Sequence, residues 1–451
     1  MAKDNYRRYQ DRIIGKIILQ ANLENETPIL IGTGEGDVSD SEAMKWPIGD
    51  VPYIPASSMA GRLKRYFKEF KLPDPGRRFW GRSGEDDPQS HLRLDDLIPE
   101  SGDTGSIVLR DGVRIDPETN TAEESKKYDY QIVEPGLVFP FRAEITIRNG
   151  MNAGDAKEFA AHIHAILHHG FRIGAHTNTG FGKMKCSNFK GWQFEFPENA
   201  DAWFNYLADN PFEAEELSFS DKIELPTSKE FSVEATFQLK TSLIIGAYGV
   251  EGGEPDKSQL KSRDKFVLPG KSIRGALRHR AIKILNTVGG TEAQENIEEL
   301  FGHVDEKLHV QKRGRLRVEE SYLEQVEPMN QDRIRIDRFT GGVIGGALFN
   351  SQPVWTTGEE AVRISFSATD TSPDEKKLLL LLLKDLWLED LPIGGEKSIG
   401  RGVLRGMEAT IKNDGDIVAS FRRAEPDTLH FLQGSAADIN QLLQAEPETN
   451  E

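Results

Sequence analysis

Apolar and polar residues alternate through "IIGKIILQANL" (Ile13–Leu23) and again through "FSVEATFQLK" (Phe231–Lys240), the period-two pattern of a strand with one buried face. Both run into glycine-bearing loops, "PILIGTGEG" and "SLIIGAYGV". Beyond the loops the period lengthens. "VPYIPASSMAGRLKRYF" (Val51–Phe67) and "KFVLPGKSIRGALRHRA" (Lys265–Ala281) each read as a short strand passing through a proline into a basic helix. Pro55 and Pro269 are predicted at the first helical position, where a preset φ suits the helix and no hydrogen bond is lost. Further strand candidates follow, "LVFPFRAEITI" or "PVWTTGEEAVRISF", then helices in "DAKEFAAHIHAILHHG" and "PDEKKLLLLLLKDLWLED", then a glycine loop entering a last strand.

These stretches are one unit written twice. Pro55, Ser58, Gly61 and Leu63 match Pro269, Ser272, Gly275 and Leu277, all 214 positions apart, and Lys64 matches Arg278. "RIDPETN" (Arg114–Asn120) and "RIDRFTG" (Arg335–Gly341) lie 221 apart, and "GAHTNTGFGKM" (Gly174–Met184) and "GGEKSIGRGVL" (Gly394–Leu404) lie 220 apart. Collinear blocks with a slowly drifting offset indicate duplication with small insertions. The order βαββαβ in each copy predicts an α+β fold of two tandem ferredoxin-like, RRM-like units, 1–190 and 229–451, joined by an acidic linker at 191–228. Such a sheet carries both helices on one face, and the open face is a common RNA platform.

Length agrees, since 451 residues exceed the usual span of one core. The longest apolar run, Leu378–Leu383, is far too short to cross a bilayer, and the start "MAKDNYRRYQDR" has no apolar stretch like a signal peptide's, so a cytoplasmic location and no membrane partner are expected. A single cysteine, Cys186, excludes an internal disulfide and a cysteine-rich zinc cluster. The net charge of −17 opposes a general affinity for polyanions. Binding follows local field rather than the sum, however, and base collects around the repeated helix while acid collects at 197–221 and in the tail.

Candidate chemistry follows the base. Gly61 and Gly275 weaken their helices unless something must come close, and Arg62, Arg65 and Lys68, or Arg274 and Arg278, fall along one side. "GTGEGD" lacks the third glycine of a dinucleotide fingerprint and "GGEKSIGRG" lacks the G-K-[ST] of a phosphate loop, so neither supports a nucleotide cofactor. His162, His164, His168 and His169 lack the H-E-x-x-H arrangement and read as helix-surface or helix-end residues. Acidic loops precede both basic helices, with Asp37 and Asp40 in the first and Glu254 and Asp256 in the second. A carboxylate beside a phosphate-binding groove is unfavourable unless it holds a cation.

The combination of "YIPASSMAGRLK", "FWG", "RIDPETN" and "GFGKM" resembles the RAMP superfamily of CRISPR-associated proteins, in particular the backbone subunits of type III effector complexes. Two units in one polypeptide resemble the double-unit subunit of III-D-like complexes. The resemblance implies a CRISPR guide RNA gripped by Ser57, Ser58, Arg62, Lys64 and Arg65 in the first copy and by Lys271, Ser272, Arg274 and Arg278 in the second. It adds the terminal loops, Gly180, Gly182 and Lys183, and Lys397, Gly400 and Arg401. It also implies thumb hairpins at about Val113–Pro135 and Ile334–Pro353 that wedge between bases of the guide–target duplex.

In cleaving relatives an aspartate before the I-P-x-S-S turn cuts target RNA with a divalent cation, Mg²⁺ or Mn²⁺. Asp40 is the best match and Asp37 the second; Asp256 lies two residues nearer its proline than Asp40 does, and Glu254 keeps the spacing but not the residue. The resemblance thus implies a metal-dependent endoribonuclease cutting guide-complementary RNA at two sites, with guide RNA, target RNA and other effector subunits as partners. Two other classes remain: a non-catalytic RNA-binding scaffold, and a metal-independent nuclease that processes the guide. The absence of histidine from either loop weighs against the last.

Overall fold

The computed structural model describes residues 12–33, 42–47, 49, 51–73, 79–81, 90–99, 107–116, 119, 122–219, 225, 229–247, 255–288, 293–305, 310–358, 362–424 and 428–444. The chain is mixed α+β and divides into two compact units. The first comprises Met1–Gly112, Tyr128–Thr177 and Phe181–Pro226; the second comprises Val113–Lys127, Asn178–Gly180 and Thr227–Glu451. Among the described residues no helix is long and apolar enough to cross a membrane.

Along the first half of the chain β1 (Ile13–Asn25), α1 (Ala56–Glu69), β2 (Leu92–Leu94), β3 (Ile107–Ile115), β4 (Ala122–Val133), β5 (Val138–Arg148), α2 (Ala153–His168), β6 (Lys183–Glu195), α3 (Ala200–Leu207) and β7 (Glu215–Glu216) follow in order, all in the first unit save the end of β3 and the start of β4 within Val113–Lys127. The antiparallel sheet runs β7-β6-β1-β5-β2, and β3 and β4 form a separate ribbon. Every second residue of β1, Ile17, Leu19, Ala21 and Leu23, enters a core closed by Met59, Leu63 and Phe67 of α1 and Phe159 and Ile163 of α2. Phe79, from the R-R-F-W-G block, stacks on Phe159 at 4.2 Å.

The opposite face of this sheet is covered as well. β6 runs on to Glu195, past the boundary expected at 190, and the acidic stretch beyond it folds back onto the sheet. Trp203 and Tyr206 of α3 pack with Phe212 around Phe194, which is fully buried. The Tyr206 hydroxyl accepts from Gln20 at 3.1 Å and from Arg142 at 3.0 Å, and Lys16, paired with Glu144 at 2.5 Å, lies 4.4 Å over Trp203. β7 then pairs with the free edge of β6. Phe219 continues to the helix side, 5.1 Å from His164, so His164 is buried rather than the surface residue expected.

The second unit contains β8 (Glu230–Leu239), β9 (Lys257–Gln259), β10 (Lys265–Leu268), α4 (Gly270–Val288), α5 (Ala293–Phe301), β11 (Leu316–Val318), β12 (Gln331–Ile336), β13 (Val343–Gln352), β14 (Val362–Thr369), α6 (Pro373–Trp387), β15 (Leu404–Asn413), β16 (Asp416–Ala424), β17 (Thr428–Gly434) and α7 (Ala436–Leu442). Its main sheet runs β11-β14-β8-β15-β16-β17. The order β11-β14-β8-β15 repeats β2-β5-β1-β6 of the first unit. α6 opens on a Ser372–Glu375 capping box with Pro373 in the first turn, and buries Leu378, Leu379, Leu382 and Leu386. A fully buried side chain of this kind contributes about 1.5–3 kcal/mol.

The outer face of this second sheet carries Ser232, Glu234, Thr236, Ser365, Ser367, Thr410 and Lys412. The aromatic residues of β8 and β14, namely Phe231, Phe237 and Phe366, are buried in the core. The open face expected of both sheets is therefore seen on the second alone among the described residues. One is roofed by α3, and the other is lined with hydroxyls and charges.

Candidate nucleic-acid interface

Both prolines sit one position before the helix rather than inside it: α1 begins at Ala56 and α4 at Gly270. The Ala56 N–H donates to Asp96 Oδ1 at 2.7 Å, so a carboxylate of the chain already meets the start of α1, where unpaired N–H groups favour an anion. What α1 offers outward is a stripe. Met59, Leu63 and Phe67 face the core, while Ser57, Gly61, Lys64, Arg65 and Lys68 are exposed and Ser58 is half-buried. Arg62 turns aside: its Nε donates to the Arg172 carbonyl at 2.5 Å and its guanidinium lies 4.1 Å over Tyr66. Arg65 pairs along the helix with Glu69 at 2.6 Å.

Gly61 and Gly275 are the informative positions. Each is exposed within a helix, and a Cβ built there meets no protein atom within 4 Å. Packing against the sheet therefore does not explain either glycine, although each costs its helix roughly 1 kcal/mol relative to alanine. The space they leave opens outward, in the middle of a basic stripe.

On α4 the positive charge is denser. Burial pulls the Lys271 ammonium down to about 8. Burial first, then repulsion from Arg278 and Arg313, pulls Arg274 down to about 10. Arg274 also donates to the carbonyls of Phe301 at 2.8 Å and Leu316 at 3.4 Å. His279 is lowered by burial and then by Lys397, Arg278 and Lys283, with Asp116 opposing; Lys397 is lowered by partial burial and then by Lys283. Cations that depress one another in this way mark a concentrated positive field, which a polyanion would relieve. Ser272, on the same helix, is half-buried.

The glycine loops divide by role. Gly182 and Gly402 both have φ +78, and a Cβ at either would fall 2.0 Å from the Ile173 carbonyl or 1.8 Å from that of Ile393, so the chain's own backbone requires them. Gly180 is buried at φ +98, whereas Gly400 is exposed with open space around it. Lys183 pairs with Glu26 at 2.9 Å. Arg401 is buried, pairs with Glu396 at 2.9 Å and donates to Gln331 Oε1 at 2.7 Å, so its guanidinium serves the interior of the second unit.

Asp37 and Asp40 lie outside the described residues. Asp256 is exposed at the entrance to β9, and its Oδ2 accepts the Asn350 N–H at 3.0 Å. Because β9 runs parallel to β13, with Lys257 opposite Ser351, Asp256 stands at the stem of the β12–β13 hairpin. Among the described residues no three His, Cys, Asp or Glu side chains are grouped to hold a metal ion. One exposed carboxylate with an oxygen to spare fits a cation held mainly by water and RNA phosphate, the usual habit of Mg²⁺.

The ribbons β3–β4 and β12–β13 fall where thumb hairpins were expected. The tip of the second is organised by Asp337, whose Oδ1 accepts from the N–H groups of Thr340 at 2.8 Å and Phe339 at 2.9 Å and from the Thr340 hydroxyl at 3.0 Å. These bonds hold its carboxyl below the usual range. Phe339 is 98% exposed between the exposed Arg338 and this turn. The sequence reading missed Phe339, and also His279, Lys283 and Arg313. His279 and Lys283 continue the four-residue spacing from Gly275, but no linear pattern joins Arg313 to them.

A family model described as the RAMP superfamily matches residues 22–185 and 236–405, together well over half the chain. The chain belongs to the RAMP superfamily, with two tandem regions whose starts, like Pro55 and Pro269, are 214 positions apart. Membership makes it a CRISPR-associated protein of an RNA-binding family. A search of curated proteins returned no significant match.

Proposed function

We propose that this chain is a guide-RNA-binding backbone subunit of a type III, III-D-like CRISPR effector complex, built of two ferredoxin-like units, that cleaves guide-complementary target RNA. The observation carrying this reading is the pair of exposed, uncovered helix glycines at equivalent positions, each inside a basic stripe. Lys64, Arg65 and Lys68 on α1, and Lys271, Arg278 and Lys283 on α4, hold backbone phosphates. Gly61 and Gly275 let the strand approach. Phe339 enters between bases at the hairpin tip, where stacking on an aromatic ring is sequence-tolerant.

In the cleavage step the ribose 2′-OH loses its proton to solvent and attacks the adjacent phosphate of the target, the P–O5′ bond breaks, and the O5′ leaving group takes a proton from water, giving a 2′,3′-cyclic phosphate and a 5′-hydroxyl. Asp40 and Asp256 are the residues that would hold a divalent cation, which supplies stabilisation of the developing charge. Asp256 is kept in place by the Asn350 N–H. A scaffold that binds RNA without cutting it is the second reading, favoured by the lack of a multi-carboxylate cluster among the described residues. Asp40→Ala and Asp256→Ala, made singly in the assembled complex, are each expected to remove one product band and leave guide binding intact. Persistence of both bands refutes the catalytic assignment, and absence of metal-dependent cleavage by the wild-type complex establishes the scaffold.

A further inference from the structure

One carboxylate gathers three cations at the stem of the second hairpin. Glu396 lies in the turn before β15 with a left-handed backbone, φ 57 and ψ 34, a conformation that non-glycine residues seldom adopt. Its side chain meets three cations from three segments: Arg333 of β12 at 3.0 Å, the buried Arg401 at 2.9 Å and Lys257 of β9 at 3.9 Å. Gln331 Oε1 joins two of them, accepting from Arg401 at 2.7 Å and from Arg333 at 3.1 Å. Arg401 reaches on to the hydroxyls of Ser242 at 3.3 Å and Ser351 at 3.5 Å. Gly246 and Gly395 keep the path of Lys257 clear, since a Cβ at either would fall within 3 Å of its side chain.

The corresponding place in the first unit is built from rings. By the 220-residue offset of the terminal loops, His176 stands where Glu396 stands and Phe181 where Arg401 stands. His176 has the same left-handed backbone, φ 55, so the turn is shared and only the side chains differ. Tyr130 lies 5.6 Å from His176 and 6.3 Å from Phe181, and the buried Arg110, at the Gln331 position, lies 5.6 Å over Phe181. Arg110 also faces the buried Glu134 at 3.7 Å, so the first stem joins one ion pair to its stacked rings. The second stem gathers three cations on one carboxylate, and removing that carboxylate leaves the buried Arg401 guanidinium without its charge partner.

We propose that Glu396 is a positioning residue, which locks the β12–β13 hairpin and the Asp256 segment into one body, while the first hairpin is held by stacked rings and by a separate ion pair, Arg110 with Glu134. Asp256 and Lys257 are adjacent, so the carboxylate that fixes Lys257 also fixes the approach of Asp256 to the hairpin stem. Where this touches cleavage it rests on the function proposed above; where it concerns anchorage it does not.

Hydrogen exchange on the full-length chain, read by mass spectrometry, separates the two. Glu396→Gln is expected to speed exchange of amides in β12 and β13 at least tenfold and to leave those in β3 and β4 unchanged, with Glu396→Asp restoring part of the protection. Arg333→Met, at a half-exposed side chain whose loss does not threaten folding, is expected to give a smaller rise in the same amides. Unchanged exchange in β12–β13, or an equal rise in both ribbons, overturns the proposal. In the RNA-loaded complex Glu396→Gln is expected to weaken the Asp256-dependent cut and spare the Asp40-dependent one; equal loss of both overturns the link to Asp256. If the wild type makes neither cut, the cleavage reading fails and the exchange result stands by itself.

Discussion

Strand for strand the two units carry the same frame, yet the first roofs the outer face of its sheet with α3 and the second leaves that face open and extends the sheet edge with β16 and β17. Both extensions begin at the end of the fourth strand, and they solve different problems. The aromatic residues after β6 need cover, and they find it by folding back over Ile18 and Phe194. The sequence after β15 alternates instead, so it pairs edgewise and buries Ala419 and Phe421 in the helix-side core. The parts the units hold in common, the strand order, the helix start and the outward glycine, are those that set where a basic stripe lies. Duplication has kept the stripe and let its surroundings diverge.

The largest effect expected from this contrast is structural. Phe194→Ala is predicted to cost the first unit about 3–5 kcal/mol, as truncations of fully buried aromatic residues do, because the roof loses the residue it is packed around. Urea unfolding with exchange read separately on β1 and β8 checks this. An unfolding shift of equal size in β8, or none in β1, breaks the claim that the roof belongs to the first unit alone.

Next in size is the difference between the two stripes. α4 has half-buried, mutually repelling cations, whereas on α1 Arg65 is exposed and already paired. Lys271→Ala with Arg278→Ala is predicted to weaken RNA binding about tenfold and to flatten the log–log salt dependence by about 1.4, some 0.7 for each lost phosphate contact to a single strand. Lys64→Ala with Arg65→Ala is predicted to do less. The acid–base behaviour of Lys271 sharpens the contrast. Its folded pKa of about 8 lies below the ordinary lysine value, so folding disfavours the charged form and RNA favours it. Affinity is therefore expected to fall as pH rises through about 8, and Lys271→Arg to remove that fall. A pH-independent affinity in the wild type between 7 and 9 removes Lys271 from the interface.

Much of the frame was legible in the chain. β1, β8, α2 and α6 fall on the stretches whose period announced them, and the offset of the repeated blocks is also the offset of the family match. The second strand of each unit was harder, because Leu92–Leu94 and Leu316–Val318 are three residues long and too short to show a period. The fold of the acidic stretch at 197–219 was hidden for a different reason. Its carboxylates mark a linker, while the residues that decide its packing, Trp203, Tyr206, Phe212 and Phe219, are spread at intervals that reveal a face only once the sheet is present. Arg401 looked like part of a glycine-loop phosphate site, and its burial against Glu396 depends on partners 70 and 159 residues away. Spacing exposes what a helix or strand does with itself and hides what distant segments do with each other.

The most direct test of the account is a single doubly substituted protein, Gly61→Ala with Gly275→Ala, measured for thermal stability and for binding to single-stranded RNA. Neither new methyl group meets a protein atom within 4 Å, so each alanine is expected to stabilise its helix by roughly 0.5–1 kcal/mol. A melting temperature that rises while RNA affinity falls is the predicted outcome, because among the described residues no neighbouring segment meets the added carbons, whereas a strand lying along the stripe would. A rise in stability with unchanged RNA affinity contradicts it.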